Sequence, residues 1–372
     1  MKTSGTKNLK KVTLFVPTLR GGGAERVMIN LARGFVNSDV DVDLVVRAKG
    51  AFLSDVPAEV RLIDLHATRV LMTLPGLVRY LRREKPTVVL SAMAHANIIA
   101  IWAIKIARVN TRLVVSVHNT LSRNLDLSSL FDRLQLILTR LFYRWADAIV
   151  VVSEEAKKDF LTVSKLKPKL IKVIYNPVVI PEMFEKSKMP VSHPWLGASG
   201  PPVIMGVGRL SKQKDFSTLI RAFFLVQKQH SARLIIIGEG EERIHLEKLV
   251  KELGVIDLVD LHGFVENPYS FLSHANVFVL SSAWEGLPTV LIEALALGVP
   301  VVSTDCPSGP REILDNGKHG SIVPVGDDKA LAEAILYCLK NSQPKKIPGE
   351  AWKRFELDRV TKQYLEILSG NI

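Results

Sequence analysis

The chain has 372 residues, 47% hydrophobic and 23% charged, which is enough apolar material for two cores and speaks against a disordered or fibrous chain. Its two cysteines, Cys306 and Cys338, exclude a disulfide framework, and no CxxC is present to suggest structural zinc. The net charge of +12 is one-sided: residues 1–182 hold 28 Lys and Arg against 15 Asp and Glu, whereas residues 183–372 hold 21 against 22. Such asymmetry points the first half at an anionic partner, which leaves nucleic acid, an anionic membrane and a phosphorylated substrate open.

In chain order, strands are expected near Val12–Val16, Val42–Val46, Val60–Asp64, Val88–Leu90, Leu113–Val117 and Ala148–Val152. Between them Val27, Met28, Leu31, Ala32, Phe35 and Val36 recur with a helical period, and Leu71–Arg83, Ala96–Arg108 and Leu127–Trp145 do the same. Strand–helix–strand units of ~30 residues predict a parallel sheet covered by helices on both faces. Pro177 to Pro202 is rich in proline, has no period and reads as an interdomain linker. A second α/β series follows, with strands near Val203–Val207, Arg233–Ile237, Val259–His262, Val277–Leu280 and Val299–Ser303. Its helices are expected at Phe216–Gln229, Glu241–Leu253, Thr289–Leu297 and Asp328–Leu339, and a last helix at Ala351–Leu368 has no strand after it. The longest apolar stretches are interrupted by Lys105, Glu285 and Glu293, so no membrane span is expected. The apolar run at Val12–Pro17 is too short for a secretory leader, and a soluble or peripheral protein in a reducing compartment is the expectation.

Ligands of open α/β sheets gather at the C-terminal ends of the strands, so the loops there carry the chemistry. The most specific runs from Ser282 to Gly298. Gly286 and Pro288 set a turn, a helix starts near Thr289, and Glu285 and Glu293 flank its first turn. Free N–H groups at a helix start suit a diphosphate, and carboxylates suit sugar hydroxyls. A capped helix with two solvated glutamates is the plainer alternative, but Glu293 lies inside an apolar helix where an unpaired charge is costly. The second feature, Gly206 to Phe216, ends a strand with a glycine turn and presents Gly208, Arg209, Lys212 and Lys214. A guanidinium fork and an ammonium match a diphosphate, although a solvated basic loop is as good a reading for Lys212. The third, Pro17 to Arg26, puts three glycines in the first strand-to-helix turn, where backbone can approach a ligand or simply turn. It is neither GxGxxG nor a P-loop.

With these motifs the chain resembles the family 4 glycosyltransferases, two-domain retaining enzymes of the GT-B fold. The resemblance rests on Gly21-Gly-Gly-Ala-Glu-Arg, Gly208-Arg-Leu-Ser-Lys-Gln-Lys-Asp, Gly238-Glu-Gly, the Glu285/Glu293 pair in its Glu-Gly-Leu-Pro setting, Asp305-Cys-Pro-Ser-Gly-Pro-Arg-Glu312 and Val323-Pro-Val-Gly-Asp327. It spans essentially the whole chain. It implies α/β architecture with two Rossmann-like doubly wound domains facing across a cleft. An acceptor-binding domain would cover residues 1–180 and a nucleotide-sugar domain 181–350, with residues 351–372 packing back on the first. It further implies that Arg209 and Lys214 hold the donor diphosphate, that Glu285 lies near the transferred sugar and that Glu293 binds the ribose. Gly208, Gly286, Leu287, Pro288 and Thr289 would supply donor-binding backbone, and Gly22 and Gly23 would approach the donor phosphate. Arg20, Gly21 and His95 fall to the acceptor, and His118 to sugar or acceptor. Ser153 and Asn176-Pro177 also fit the pattern, with a turn or cap role the simpler one.

The resemblance also implies a UDP-linked hexose or N-acetylhexosamine as co-substrate, no resident cofactor or metal, and a glycan acceptor carried on a lipid diphosphate or destined for a surface polysaccharide. The triplets Asp39-Val-Asp41 and Asp41-Val-Asp43 read as a solvated strand face, not as a metal site. Cytoplasmic work at an anionic membrane would explain the basic half, with Leu71–Lys85 as the expected bilayer face and Leu127–Trp145 and the Lys157–Lys172 region adding to it; a core-packed helix with a solvated basic side is the alternative. Nucleic-acid binding lacks aromatic interleaving and a recognition motif. A nucleotide-sugar epimerase or hydrolase of the same fold is separated only by the motifs.

Overall fold

A computed structural model describes residues 9–19, 22–48, 50–118, 122, 129–197, 200–341 and 349–370. The chain forms two compact units, residues 1–178 with 355–372, and residues 179–354. In the first, strands β1 (Lys11–Thr18), β2 (Asp41–Ala48), β3 (Arg61–Asp64), β4 (Val88–Ala92), β5 (Arg112–Val117), β6 (Ala148–Val151) and β7 (Ile171–Val173) make a parallel sheet in the order β3-β2-β1-β4-β5-β6-β7. Helices α1 (Gly23–Val36), α2 (Thr73–Glu84), α3 (Ala94–Ala107), α4 (Leu130–Phe142) and α5 (Glu154–Ser164) accompany it. Both faces of the sheet are covered, which is why its strands are apolar throughout. Alternate residues feed different cores: Val12, Leu14 and Val16 of β1 pack into one, Phe15 into the other.

The second unit opens with α6 (Pro181–Ser187), inside the stretch expected to be linker; proline at its first position starts a helix as readily as it marks a loop. Strands β8 (Val203–Val207), β9 (Arg233–Ile237), β10 (Val259–Gly263), β11 (Val277–Leu280), β12 (Val301–Thr304) and β13 (Ser321–Val323) form a parallel sheet ordered β10-β9-β8-β11-β12-β13. Around it lie α7 (Phe216–Gln227), α8 (Arg243–Glu252), α9 (Pro268–Leu272), α10 (Thr289–Ala296), α11 (Pro310–Ile313) and α12 (Asp328–Lys340). The last helix, α13 (Leu357–Ser369), belongs to the first unit, where Val360, Tyr364, Ile367 and Leu368 are buried with residues of α1. Gly34 permits that contact, since a Cβ there would sit 2.0 Å from Thr361 Oγ1.

Two expectations are corrected. Asp43 is not solvated but buried. It pairs with Lys11 at 2.9 Å and with Arg61, and accepts from the Tyr80 hydroxyl at 2.6 Å. Burial alone would raise its pKa, and the bonds from Arg61, Tyr80 and Lys11 outweigh that and hold it low. The carboxylate is consumed by a structural ion network joining β1, β2, β3 and α2. The apolar stripe of Leu71–Lys85 is likewise not free for a bilayer: Leu77, Val78 and Leu81 of α2 are core residues.

Candidate active site

In the second unit β8 and β11 are neighbours, and the chain leaves β8 toward β9 but β11 toward β12, in opposite directions. Such a switch point is where open α/β sheets hold ligands. The loop after β8 is pressed against the loop after β9. Gly208 lies at φ +155°, and a Cβ on Gly238 would stand 1.9 Å from the Gly208 carbonyl oxygen, which only glycine allows. Leu210 N–H donates to Glu239 O at 2.9 Å and Glu242 N–H to Leu210 O at 3.0 Å, fixing the turn that carries Arg209. Arg209 itself is exposed and forms no ion pair among the described residues. The turn ends at Asp215, whose carboxylate caps α7 by accepting from Thr218 N–H at 3.3 Å and also accepts from the Thr218 hydroxyl at 2.6 Å.

Lys214 and Glu285 meet across this switch point. The ammonium lies 2.6 Å from Glu285 Oε1, which also accepts from the Ser282 hydroxyl at 2.7 Å, while Gln213 Nε2 stands 3.4 Å from Oε2. Both partners are largely buried, with side-chain exposures of 17% and 7%, so the attraction is weakly screened. Ser281 Oγ bonds the Lys214 carbonyl and Gln213 Nε2 the Trp284 carbonyl, locking the two loops together. Ser282 and Gln213 were missed by the sequence reading; polar residues next to a motif carry no signal of their own until the fold brings them to its carboxylate.

Beyond Glu285 the chain turns through buried Gly286, Leu287 and Pro288 into α10. No side chain caps this helix, and the N–H groups of Thr289 and Val290 have no partner within it. They carry the positive end of the helix dipole toward an anion placed there. The loop after β12 supports the turn from behind: Ser308 Oγ bonds Gly286 O at 2.7 Å, Glu285 N–H bonds Pro307 O at 3.2 Å, and a Cβ on Gly309 would stand 2.5 Å from Pro288 Cδ. Glu293 is buried one turn into α10. Burial pushes the Cys306 thiol up to about 12, so it is no nucleophile.

In the first unit the corresponding loops leave β1, β4 and β5. Gly22 and Gly23 are exposed at the head of α1. Glu25, also missed, is buried behind them, accepts from Gly22 N–H at 2.8 Å and bonds the Thr18 hydroxyl; a glutamate three residues after the glycine that opens the helix was the available signal. Arg20 and Gly21 lie outside the described residues. His95 is exposed in the first turn of α3, where desolvation and the charge of Arg47 lower its pKa. At this edge Ser91 Oγ at the end of β4 and Asn97 Oδ1 in α3 are buried with no hydrogen-bond partner among the described residues, and the His118 ring after β5 interacts with the Asn176 side chain after β7. Ser153 caps α5, accepting from Ala156 N–H at 3.0 Å.

His118 follows β5 with its Nε2 2.9 Å from Ser116 Oγ. That hydroxyl donates to Ser91 O, so it accepts from Nε2–H and leaves Nδ1 as the acceptor nitrogen of the ring. The ring shows an edge to solvent but is densely surrounded, and this desolvation lowers its pKa to about 4, with Asn176 opposing. The imidazole is therefore neutral near pH 7 and accepts hydrogen bonds. Between about pH 6.5 and pH 4 the unfolded chain binds a proton here that the folded chain does not, so stability drops on acidification through that window. Replacing His118 by Asn should flatten this limb by on the order of 2 kcal/mol between pH 7 and pH 4.5. Urea midpoints at the two pH values measure it, and an unchanged slope would refute the assignment.

One group among the described residues brings metal-ligating atoms together: His193, Asp260 and His262, all within 4.8 Å. Trp195 N–H donates to His193 Nδ1 at 3.1 Å, which places the ring proton on Nε2, 3.0 Å from Asp260 Oδ2. His262 Nδ1 reaches the same oxygen at 2.8 Å. The nitrogen that would face a cation already carries a proton, and the group is built as a hydrogen-bonded cluster on the edge strand β10.

Two family models match the chain, Glycosyltransferase Family 4 over residues 21–180 and Glycosyl transferases group 1 over residues 193–355. The chain belongs to glycosyltransferase family 4. The solved structure of Anabaena HepE in complex with UDP and glucose superposes on this family 4 member with a TM-score of 0.78 at 24% identity, covering 97% of this chain and 100% of HepE. The lipopolysaccharide outer core galactosyltransferase WaaB gives 0.72 at 22% identity, again over 97% and 100%. The fold is GT-B, with one parallel Rossmann-like sheet in each unit. Among relatives, a Campylobacter jejuni N-acetylgalactosamine-N,N'-diacetylbacillosaminyl-diphospho-undecaprenol 4-alpha-N-acetylgalactosaminyltransferase is 27% identical over 97% of this chain and 100% of its own. The Rhizobium meliloti lipopolysaccharide core biosynthesis glycosyltransferase LpsE is 28% identical over 94% and 97%.

Proposed function

We propose that this glycosyltransferase moves a hexose or N-acetylhexosamine from a UDP-linked donor, with retention of configuration, to a glycan acceptor carried on a lipid diphosphate or built into a surface polysaccharide. The observation that carries the reading is the Lys214–Glu285 pair beside exposed Arg209 and the uncapped start of α10. On this reading three sources of positive potential serve the leaving diphosphate as it gains charge. Arg209 and Lys214 take that charge, the N–H groups of Thr289 and Val290 add the helix dipole, and Gly208, Gly286, Leu287 and Pro288 shape the backbone cradle. Glu285 and Glu293 accept from sugar and ribose hydroxyls. As the bond from the anomeric carbon to the diphosphate breaks, an oxocarbenium-like centre forms, the acceptor hydroxyl attacks it from the same face and its proton passes to the departing diphosphate oxygen, with no resident metal. In the first unit Arg20, Gly21, His95 and His118 serve the acceptor, with neutral His118 also accepting from the sugar, and Gly22 and Gly23 lie near the donor phosphate.

HepE was solved with UDP, and the Campylobacter relative is named for a diphospho-undecaprenol-linked substrate; both support this choice of donor and acceptor. Among the described residues no helix is long and apolar enough to cross a membrane, and work at the cytoplasmic face of the membrane is part of the reading. The test is incubation with a panel of UDP-hexoses and UDP-N-acetylhexosamines, with and without lipid extract. One donor should release UDP only when acceptor is present, and the anomeric coupling in the product should match that of the donor. Interconversion of UDP-sugars, or equally fast UDP release without acceptor, would mean an epimerase or hydrolase instead.

A further inference from the structure

Lys214 has two calls on one charge. Its ammonium lies 2.6 Å from Glu285 Oε1, yet the proposed reaction needs the same charge on a departing diphosphate. Glu285 is buried, so a carboxylate left behind there has almost no water to turn to, and a phosphate beside it adds repulsion. A donor other than the lysine has to hold it.

Two uncharged donors already stand at the carboxylate. The Ser282 hydroxyl donates to Oε1 at 2.7 Å, and the Gln213 amide nitrogen stands 3.4 Å from Oε2. Ser282 is fully buried, so its proton is committed to the carboxylate. Its main chain is fixed from the neighbouring strand: Thr304, also fully buried, donates to Ser282 O at 2.6 Å. Gln213 is fixed in turn, since Ala283 N–H donates to its carbonyl at 2.8 Å and its own amide donates to Trp284 O at 3.0 Å. Neither donor is charged, so neither competes with Lys214 for an anion. The lysine is held less closely. Its stem lies over Gly208, where a Cβ would stand 2.9 Å from Lys214 Cε, and its side chain keeps 17% exposure.

We propose that Ser282, assisted by Gln213, is a positioning residue that holds the Glu285 carboxylate while Lys214 turns its charge to the diphosphate. The proposal rests on the donor assignment above and adds how the buried pair opens without stranding an ion. The action of Ser282 passes through Glu285 and grows with the negative charge on the diphosphate. Its removal therefore acts on the transition state, and on UDP with its fully charged terminal phosphate, more than on the intact donor.

The experiment compares wild type, Ser282→Ala, Glu285→Gln and the double variant by UDP titration calorimetry and by donor turnover. Ser282→Ala should lower kcat roughly 10- to 100-fold, the range for losing a hydrogen bond to a charged group, and weaken UDP binding about 10-fold. The donor KM should stay within ~3-fold of wild type, because the intact donor carries less charge there. In the Glu285→Gln background the same change should move kcat and UDP affinity by no more than ~2-fold, since the carboxylate it serves is gone. Ser282→Cys keeps the volume with a weaker donor and should recover part of the loss. Gln213→Met should cost less than Ser282→Ala, its contact being longer. A serine that only supports the loop would cost the same factor in both backgrounds, and that result would overturn the proposal. Wild-type kcat and UDP affinity in folded Ser282→Ala protein would overturn it too. The donor assignment would survive that outcome if Arg209→Ala still lost activity, and would fall with the proposal if Arg209→Ala were equally unaffected.

Discussion

Replacing Arg209 by Ala is expected to lower kcat/KM by about 10²- to 10³-fold, the effect of removing one preorganised donor from a developing charge. The melting temperature should not move. The side chain is exposed and holds no ion pair among the described residues, so the fold does not depend on it. This makes Arg209 the cleanest test of the donor site, because loss of activity cannot be traded for loss of structure. If the guanidinium acts on the leaving diphosphate, most of the loss falls on kcat; if it only anchors the bound donor, the loss appears in KM with kcat retained. Arg209→Lys should recover a minority of the lost activity, since an ammonium supplies charge without the planar fork that spans two phosphate oxygens. Full turnover by folded Arg209→Ala protein would show that the diphosphate binds elsewhere.

The two sheets were legible because their strands are buried on both faces and read as unbroken Val, Ile and Leu runs, with amphipathic helices between. What escaped lies at the margins. The strands β7 and β13 have three residues each and pair with one neighbour, too short to show a period. Asp43 looked solvated because strand alternation puts aspartate outward; Lys11, Arg61 and Tyr80, which bury it, come from three other segments. The helical period also could not say which apolar stripe was core. The patterns of α2 and α4 are equally amphipathic, and only packing shows that the α2 stripe is interior and the α4 stripe exposed. The loops proposed to hold the donor were readable because their turn chemistry is local: Gly208 and Gly286-Leu-Pro-Thr each define backbone shape by themselves. The link between them, Lys214 to Glu285, spans 71 positions, and Ser282 and Gln213 become site residues only through it.

That link gives the second large effect. Lys214→Met and Glu285→Gln should each destabilise the protein by roughly 2–3 kcal/mol, somewhat below the usual cost of stranding one charge of a buried pair because Lys214 keeps some contact with water. Each should also reduce kcat at least ~10²-fold. The double variant separates the two consequences. With both charges gone no uncompensated ion remains, so its stability should lie closer to wild type than the sum of the singles, with a coupling of about 1–3 kcal/mol. Activity should stay at the level of the worse single variant, because a neutral pair offers nothing to a departing diphosphate. Urea unfolding and donor turnover on the same four proteins measure both. Additive destabilisation would mean that the 2.6 Å contact contributes no net energy, and recovery of turnover in the double variant would remove Lys214 and Glu285 from the chemistry. A charge pair kept for stability alone would respond in the first measurement and not in the second. The distinction matters because Glu285 Oε1 is held by both Lys214 and Ser282 while Gln213 stands 3.4 Å from Oε2, so the pair is the centre of a cluster whose order and whose charge are separate contributions.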